Sequence, residues 1–297
     1  MLDSYSSEGG YMKTNKEHLV EMAVQAKIHA PTWRGEYKVD NMGFPHVLPS
    51  VGGIVYNYQI GDCCMKLAGD HIEPGVSLRN ETRTENDSVM HVACIGNRAI
   101  VVDGDAKGTE GFVTGKHGGI EHTICYFPVE SLDKMKIGDQ ILIRAKGLGL
   151  KLTDYPDIAC MNLSPELLEK IAPEETNGKL LVPCVAEVPP YLMGSGIGAS
   201  SGYTGDYDIM TGDLDALKEY GLDKLRFGDL VLLKDCDNRY GRQYKKGART
   251  LGVIVHSNCV LSGHGPGVTT LLSCSEGELL IGRHDPNANL ANYFLGE

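Results

Sequence analysis

The chain has 297 residues, 42% of them hydrophobic and 23% charged, a length and composition that point to a globular protein with two cores rather than one. Thirty-nine acidic against twenty-eight basic side chains leave a formal charge of −11, which disfavours nucleic acid and anionic membranes as partners. Nine scattered cysteines, adjacent only at Cys63-Cys64, give no zinc spacing and are expected as reduced thiols in the cytoplasm; no apolar run approaches the ~18 residues of a membrane span.

Thr14-x-x-Glu17 reads as a capping box that opens an amphipathic helix over Leu19, Val20, Ala23, Val24, Ala26 and Ile28, ended by Pro31. With the Pro- and Gly-rich stretch to residue 50 it forms an N-terminal helix and connector arm. A first β domain is expected over 51–172. Its candidate strands are Ile54 to Tyr58, His91 to Ala93, Ala99 to Val102, Phe112 to Thr114 and Thr123 to Phe127, short and divided by Gly or Asp as in a small barrel. Ser164-Pro165 caps a two-turn helix stopped at Pro173. A second β domain then fills 173–297. Its candidate strands are 180–182, 185–188, 251–256, 268–272 and 279–281, with a glycine-rich loop from Gly194 to Gly212 and a helix between Asp213 and Gly221. The fold class is therefore mainly β with a few short helices: two small barrel-like domains, the first SH3-like.

One phrase occurs twice. Leu132-Asp133-Lys134 leads to Gly138-Asp139 and an apolar run, and Leu222-Asp223-Lys224 leads to Gly228-Asp229 and another. Glycine tolerates positive φ and the aspartate accepts nearby backbone N–H groups, so each copy should be a tight turn launching a core strand. Gly61-Asp62 repeats the turn chemistry alone.

The segment Gly104 to Gly119, with the strand Thr123 to Phe127, resembles a KOW motif, the strand-loop-strand of SH3-like barrels in some ribosomal and transcription proteins. That resemblance implies a barrel. The family's RNA contacts use basic residues, whereas Lys107 and Lys116 here face Asp103, Asp105, Glu110 and Glu121, so only the barrel is carried over. Taken with the Gly138-Asp139 strand, Gly147-Leu148-Gly149-Leu150 and Gly263-His264-Gly265-Pro266-Gly267, the chain resembles an uncharacterised bacterial and archaeal family, domain of unknown function 4438. That resemblance implies two β-rich domains and supplies no activity.

Four clusters are candidates for chemistry. Asp70, His71 and Glu73 offer ligands for a divalent metal; the plain alternative is a polar turn before Pro74-Gly75. His117, Glu121 and His122 set a base beside a carboxylate in a glycine-loosened loop, or else form a solvated hairpin. Gly194, Ser195, Gly196, Ser200 and Ser201 supply backbone and hydroxyl donors for an anionic group, or else form a linker. His256, at a strand end, and His264, between glycines, are the preferred catalytic pair across one turn, although His256 also fits a core histidine. The expectation is a hydrolase or lyase of a small polar substrate, with or without the assistance of a divalent metal, its site between the two β domains, in a homo-oligomer. The alternative is a non-catalytic binding protein for RNA or protein using the basic, aromatic loop Arg239, Tyr240, Arg242, Tyr244, Lys245 and Lys246.

Overall fold

The Gly-Asp turns form as the repeated phrase requires. The computed structural model describes residues 12–33, 35–195, 201–276 and 278–296. Gly138, Gly228 and Gly61 sit at φ 96°, 83° and 95°, the left-handed region glycine enters without steric cost. In each case the following aspartate donates its N–H to the carbonyl three residues back, and its carboxylate accepts that residue's N–H at 2.8 Å: Lys136 for Asp139, Arg226 for Asp229 and Gln59 for Asp62. The first two turns launch the strands Gln140–Ala145 and Leu230–Asp237.

The two main copies differ in burial. Asp229 is 2% exposed and also binds Arg226 Nε and Asn289 Nδ2, whereas Asp139 is half-buried. Asp229→Ala leaves buried donors without partners and should cost about 2–3 kcal/mol; Asp139→Ala removes a wetter bond and should cost about 1 kcal/mol. Urea melts of the two variants check this, and an equal or reversed order contradicts the account.

Six antiparallel strands close into a barrel in the order Met22–Ile28, Gln140–Ala145, Arg98–Val101, Glu110–His117, His122–Tyr126 and Gly75–Arg79, the last pairing back to the first. Alternate residues fill it: Ala26 and Ile28, Val76 and Leu78, Ala99 and Val101, Ile141 and Ile143. Residues 22–28 are thus a barrel strand, and only Lys16–His18 is helical, as one 3₁₀ turn. The helical expectation fails because Val24, Ala26 and Ile28 also fit period two, and the closing barrel seam decides between the readings. His91 belongs to the helix Arg83–Val92 rather than to a strand.

A second sheet orders Ile158–Cys160, Gly267–Cys274, Gln243–Ile254, Leu230–Asp237 and Ala186–Val188, with Tyr207–Asp208 pairing the start of Gly267–Cys274. Its core reaches back to the barrel's outer face, where Phe112 and Ile124 join Leu251, Val253 and Leu271. The strands Glu110–His117 and His122–Tyr126 are therefore covered on both faces, which explains why they lack alternation. The C-terminal helix Leu290–Leu295 seals this contact, with Phe294 stacked on Phe112 at 4.4 Å.

Candidate functional site

The barrel meets the second sheet closely because Gly115 has no side chain: a Cβ there would lie 2.4 Å from Val255 Cγ1. Across the seam Thr269 Oγ1 donates to Lys116 O at 2.9 Å. One residue further, the His117 ring lies stacked near that of His256, centroids 4.2 Å apart. The loop carrying His71 is clamped to the same place: Ile72 N–H donates to Ser257 Oγ and Ser257 N–H to Ile72 O, both at 2.8 Å. His71 itself sits at φ 52°, a left-handed conformation costing a non-glycine residue on the order of 1 kcal/mol. It brings the ring within 4.9 Å of His256 and 5.5 Å of His264.

The carboxylates arrive on a third stretch. Tyr207 and Asp208 pair with Val268 and Gly267, so Asp206 and Asp208 hang over the histidines. His256 Nε2 meets Asp206 Oδ2 at 2.8 Å, and His264 Nδ1 meets Asp208 Oδ2 at 2.9 Å. The other nitrogen of His264, Nε2, lies 3.1 Å from Ser195 Oγ. Asp208, His264 and Ser195 thus form one line of hydrogen-bonded groups, and His264 is about one-third exposed where His256 is fully buried.

Behind His117 stands Glu73, 1% exposed, accepting from Gly52 N, Ser77 Oγ, His117 Nδ1 and His122 Nδ1. Burial alone would raise its pKa, but the two imidazoles outweigh it and hold the carboxyl well below the usual range. Asp208 behaves likewise: burial pushes up, and hydrogen bonds from His256, His264 and His71 pull it well down. His256 goes the other way, its burial overcome by the charge of Asp206, so the imidazolium is favoured. Desolvation dominates at His117, which is lowered. Lys116, fully buried with its Nζ bound to Asn162 Oδ1 and Tyr203 O, is pulled down by desolvation to about 8.

The residues singled out in the sequence fare differently. His71, His117, His256 and His264 come together, and Ser195 joins them. Asp70 pairs with Lys38 and His71. Glu73 orients His117 and His122, so its place is behind the cluster rather than at a metal, and His122 lies in that same back row against His29. Glu121 turns away to face Arg79 at 3.8 Å, because its backbone occupies the left-handed tip of the hairpin. Ser201 accepts from Tyr203 N within its own turn, and Gly194 N–H bonds Asp208 O. Gly196 and Ser200 lie outside the described residues. Asp206, Asp208 and Lys38 were missed; Asp206-Tyr207-Asp208 carries a usable signal, since alternate residues of an extended segment share a face.

The cluster opens onto a cavity of about 420 Å³ whose wall includes Trp33, Tyr37, Val51, Ile120 and Leu261 with Ser195, His71 and His264. That volume suits a small molecule. Three groups have donor atoms mutually within 4.8 Å, a spacing that can accommodate a metal ion: His71 with His117 and His256; His71 with Cys259 and His264; and Asp206 with Asp208 and His256.

A mainly β protein, with a closed six-stranded barrel packed on a mixed sheet and a histidine–carboxylate cluster at their seam, is the class these features define. Family models for a domain of unknown function, DUF4438, match it in both parts, the N-terminal model over residues 37–169 and the C-terminal model over 170–294. The chain belongs to this uncharacterised family. Among solved structures the crystal structure of TM1086 is similar, with 46% identity, a TM-score of 0.91, and coverage of 96% of this chain and 99% of that one. No curated protein matches. Neither family model is a KOW motif, so that resemblance is not shown.

Proposed function

We propose that the protein is a hydrolase or lyase of a small polar molecule bound in the cavity, with His264 moving the proton. The observation that carries this reading is the line Asp208–His264–Ser195 on the cavity wall. A carboxylate on Nδ1 fixes the imidazole's tautomer and plane, leaving Nε2 to exchange a proton with Ser195 Oγ or with a bound substrate. His256 is fully buried behind the wall and is held by Asp206, which itself lines the cavity. Nine free cysteines fit a reducing compartment, and no helix among the described residues is long and apolar enough to cross a membrane.

A panel of small esters, amides, lactones and hydroxy acids tests the reading. His264→Ala should lower turnover by about 10²–10⁴-fold, the range for removing a general acid or base. Ser195→Ala separates two roles: comparable loss marks the hydroxyl as participating, while a change in KM alone marks it as a binding group. Turnover unaffected by loss of His264 would end the proposal.

A second reading, binding of RNA or protein, draws on the exposed hairpin tip, where Tyr240 and Tyr244 are 93% and 68% exposed. Three of its four cations have local partners: Arg239 with Asp237, Arg242 with Met193 O and Lys245 with Glu276. Retention of a single-stranded RNA that weakens with salt and with Tyr240→Ala would favour this reading.

A further inference from the structure

We propose that His71, His117 and His256 bind a divalent first-row transition metal through their Nε2 atoms, with the Asp208 carboxylate as the fourth ligand. This site shares Asp208 with the proton-transferring line described above but draws its three imidazoles from the convergence of His71, His117 and His256, and its test needs no substrate.

The first observation is convergence. Three imidazoles from stretches far apart in the chain bring donor atoms within 4.8 Å of one another inside the protein, where His117 and His256 are buried and His71 nearly so.

The second observation is orientation. A metal-bound histidine nearly always engages its other nitrogen with a carboxylate or carbonyl, which fixes the tautomer and raises the basicity of the ligating nitrogen. All three rings are held in this way at Nδ1: His117 by Glu73 Oε1 at 2.5 Å, His71 by Asp70 Oδ2 at 3.2 Å and His256 by Ser257 O at 2.9 Å. That leaves Nε2 of His71 and His117 to face the shared point, while Nε2 of His256 would exchange its bond to Asp206 for the ion. Two carboxylates from the one loop that carries His71 and a carbonyl beside His256 do the same job, which chance packing of histidines does not require.

The third observation is spacing. Ligands on a tetrahedral ion at about 2.0–2.1 Å lie roughly 3.3–3.4 Å from one another. Asp208 Oδ1 is 3.5 Å from His256 Nε2 and its other oxygen, Oδ2, is 3.7 Å from His71 Nε2, so the carboxylate borders the same space through both oxygens at close to that separation. Asp206, at 2.8 Å from His256 Nε2, sits at hydrogen-bond distance instead.

The fourth observation is charge. Asp70, Glu73, Asp206 and Asp208 are all buried, and among the described residues Lys38 on Asp70 is the cation paired with them apart from the histidines. Buried negative charge needs a compensating cation; imidazolium at His256 serves in the absence of an ion, and a divalent ion among neutral imidazoles would take its place. Three imidazoles with one carboxylate suit zinc, cobalt or iron better than magnesium or calcium, which prefer oxygen ligands. Bound there, such an ion would polarise a substrate oxygen or acidify a water beside His264.

The test is the metal content of tag-free protein by mass spectrometry, followed by removal with a chelator and titration with zinc and cobalt. About one ion per chain is expected, restored on titration, with a rise in Tm on reloading. His117→Ala and His256→Ala should each weaken binding by at least about 10-fold. Ser195→Ala should keep the metal even if it loses turnover, so failure of the enzymatic reading and failure of the metal reading are distinguishable. Should the histidine variants not fold, the visible spectrum of the cobalt-loaded wild type decides. Tetrahedral bands without a thiolate charge-transfer band support the assignment; a thiolate band moves the ion to His71, Cys259 and His264 and overturns it. Wild type that neither retains zinc or cobalt nor gains stability from them also overturns it.

Discussion

Glu73→Ala should lower stability by about 3–5 kcal/mol, the range for leaving one side of a buried charged network without its partner. The carboxylate ties four segments together through Gly52 N at 3.1 Å, Ser77 Oγ at 2.5 Å, His117 Nδ1 at 2.5 Å and His122 Nδ1 at 2.8 Å. Alanine strands every one of these donors in a place water does not reach, since Glu73 is 1% exposed. Glu73→Gln keeps the shape but brings its own N–H donors against existing ones, so it should fall between wild type and alanine. Urea denaturation with an unchanged m-value measures the loss. A midpoint for the alanine variant equal to that of wild type would mean that this carboxylate does not organise the seam.

The second large effect belongs to a residue with no side chain. A Cβ on Gly267 would stand 1.9 Å from Asp206 Oδ2 and 2.3 Å from His256 Nε2, directly across their hydrogen bond. Gly267→Ala should therefore push the two apart, with a stability cost of about 1–3 kcal/mol from overpacking. Turnover and metal binding should fall by about 100-fold or more, as expected when reacting groups move by an ångström. Gly111→Ala is the control: its Cβ would meet Tyr126 O at 1.9 Å, in the barrel and away from the cluster. It should lose stability while its folded fraction keeps the site. If both variants lose function in proportion to their folded fraction, Gly267 has no special place at the site.

Several parts of this molecule were legible because their chemistry is short-range. The Gly-Asp turns depend on bonds spanning three residues, and all three form. The helix at Pro165 was readable for the same reason, with Ser164 Oγ accepting from Leu167 N. Histidines set among glycines marked His117 and His264 as candidates, because small neighbours leave an imidazole room to reach something, and the carboxylates of Asp70 and Glu73 marked His71. The strand Met22–Ile28 was misread because its apolar residues satisfy two periods at once, and its choice lies with partners near residues 79 and 140.

Residue order was enough to place the Gly-Asp turns, the helix at Pro165 and many of the apolar strands, and to single out His71, His117, His256 and His264 as candidates. Which groups meet came from the folded chain alone: Glu73 with His117 across 44 positions, Asp206 with His256 across 50, Asp208 with His264 across 56, and Ile72 with Ser257 across 185. The physical reason is one of range. Turns and caps close within a few residues of backbone, whereas the cluster exists because a barrel and a sheet press together at Gly115 and Val255, a contact set by the packing of both cores.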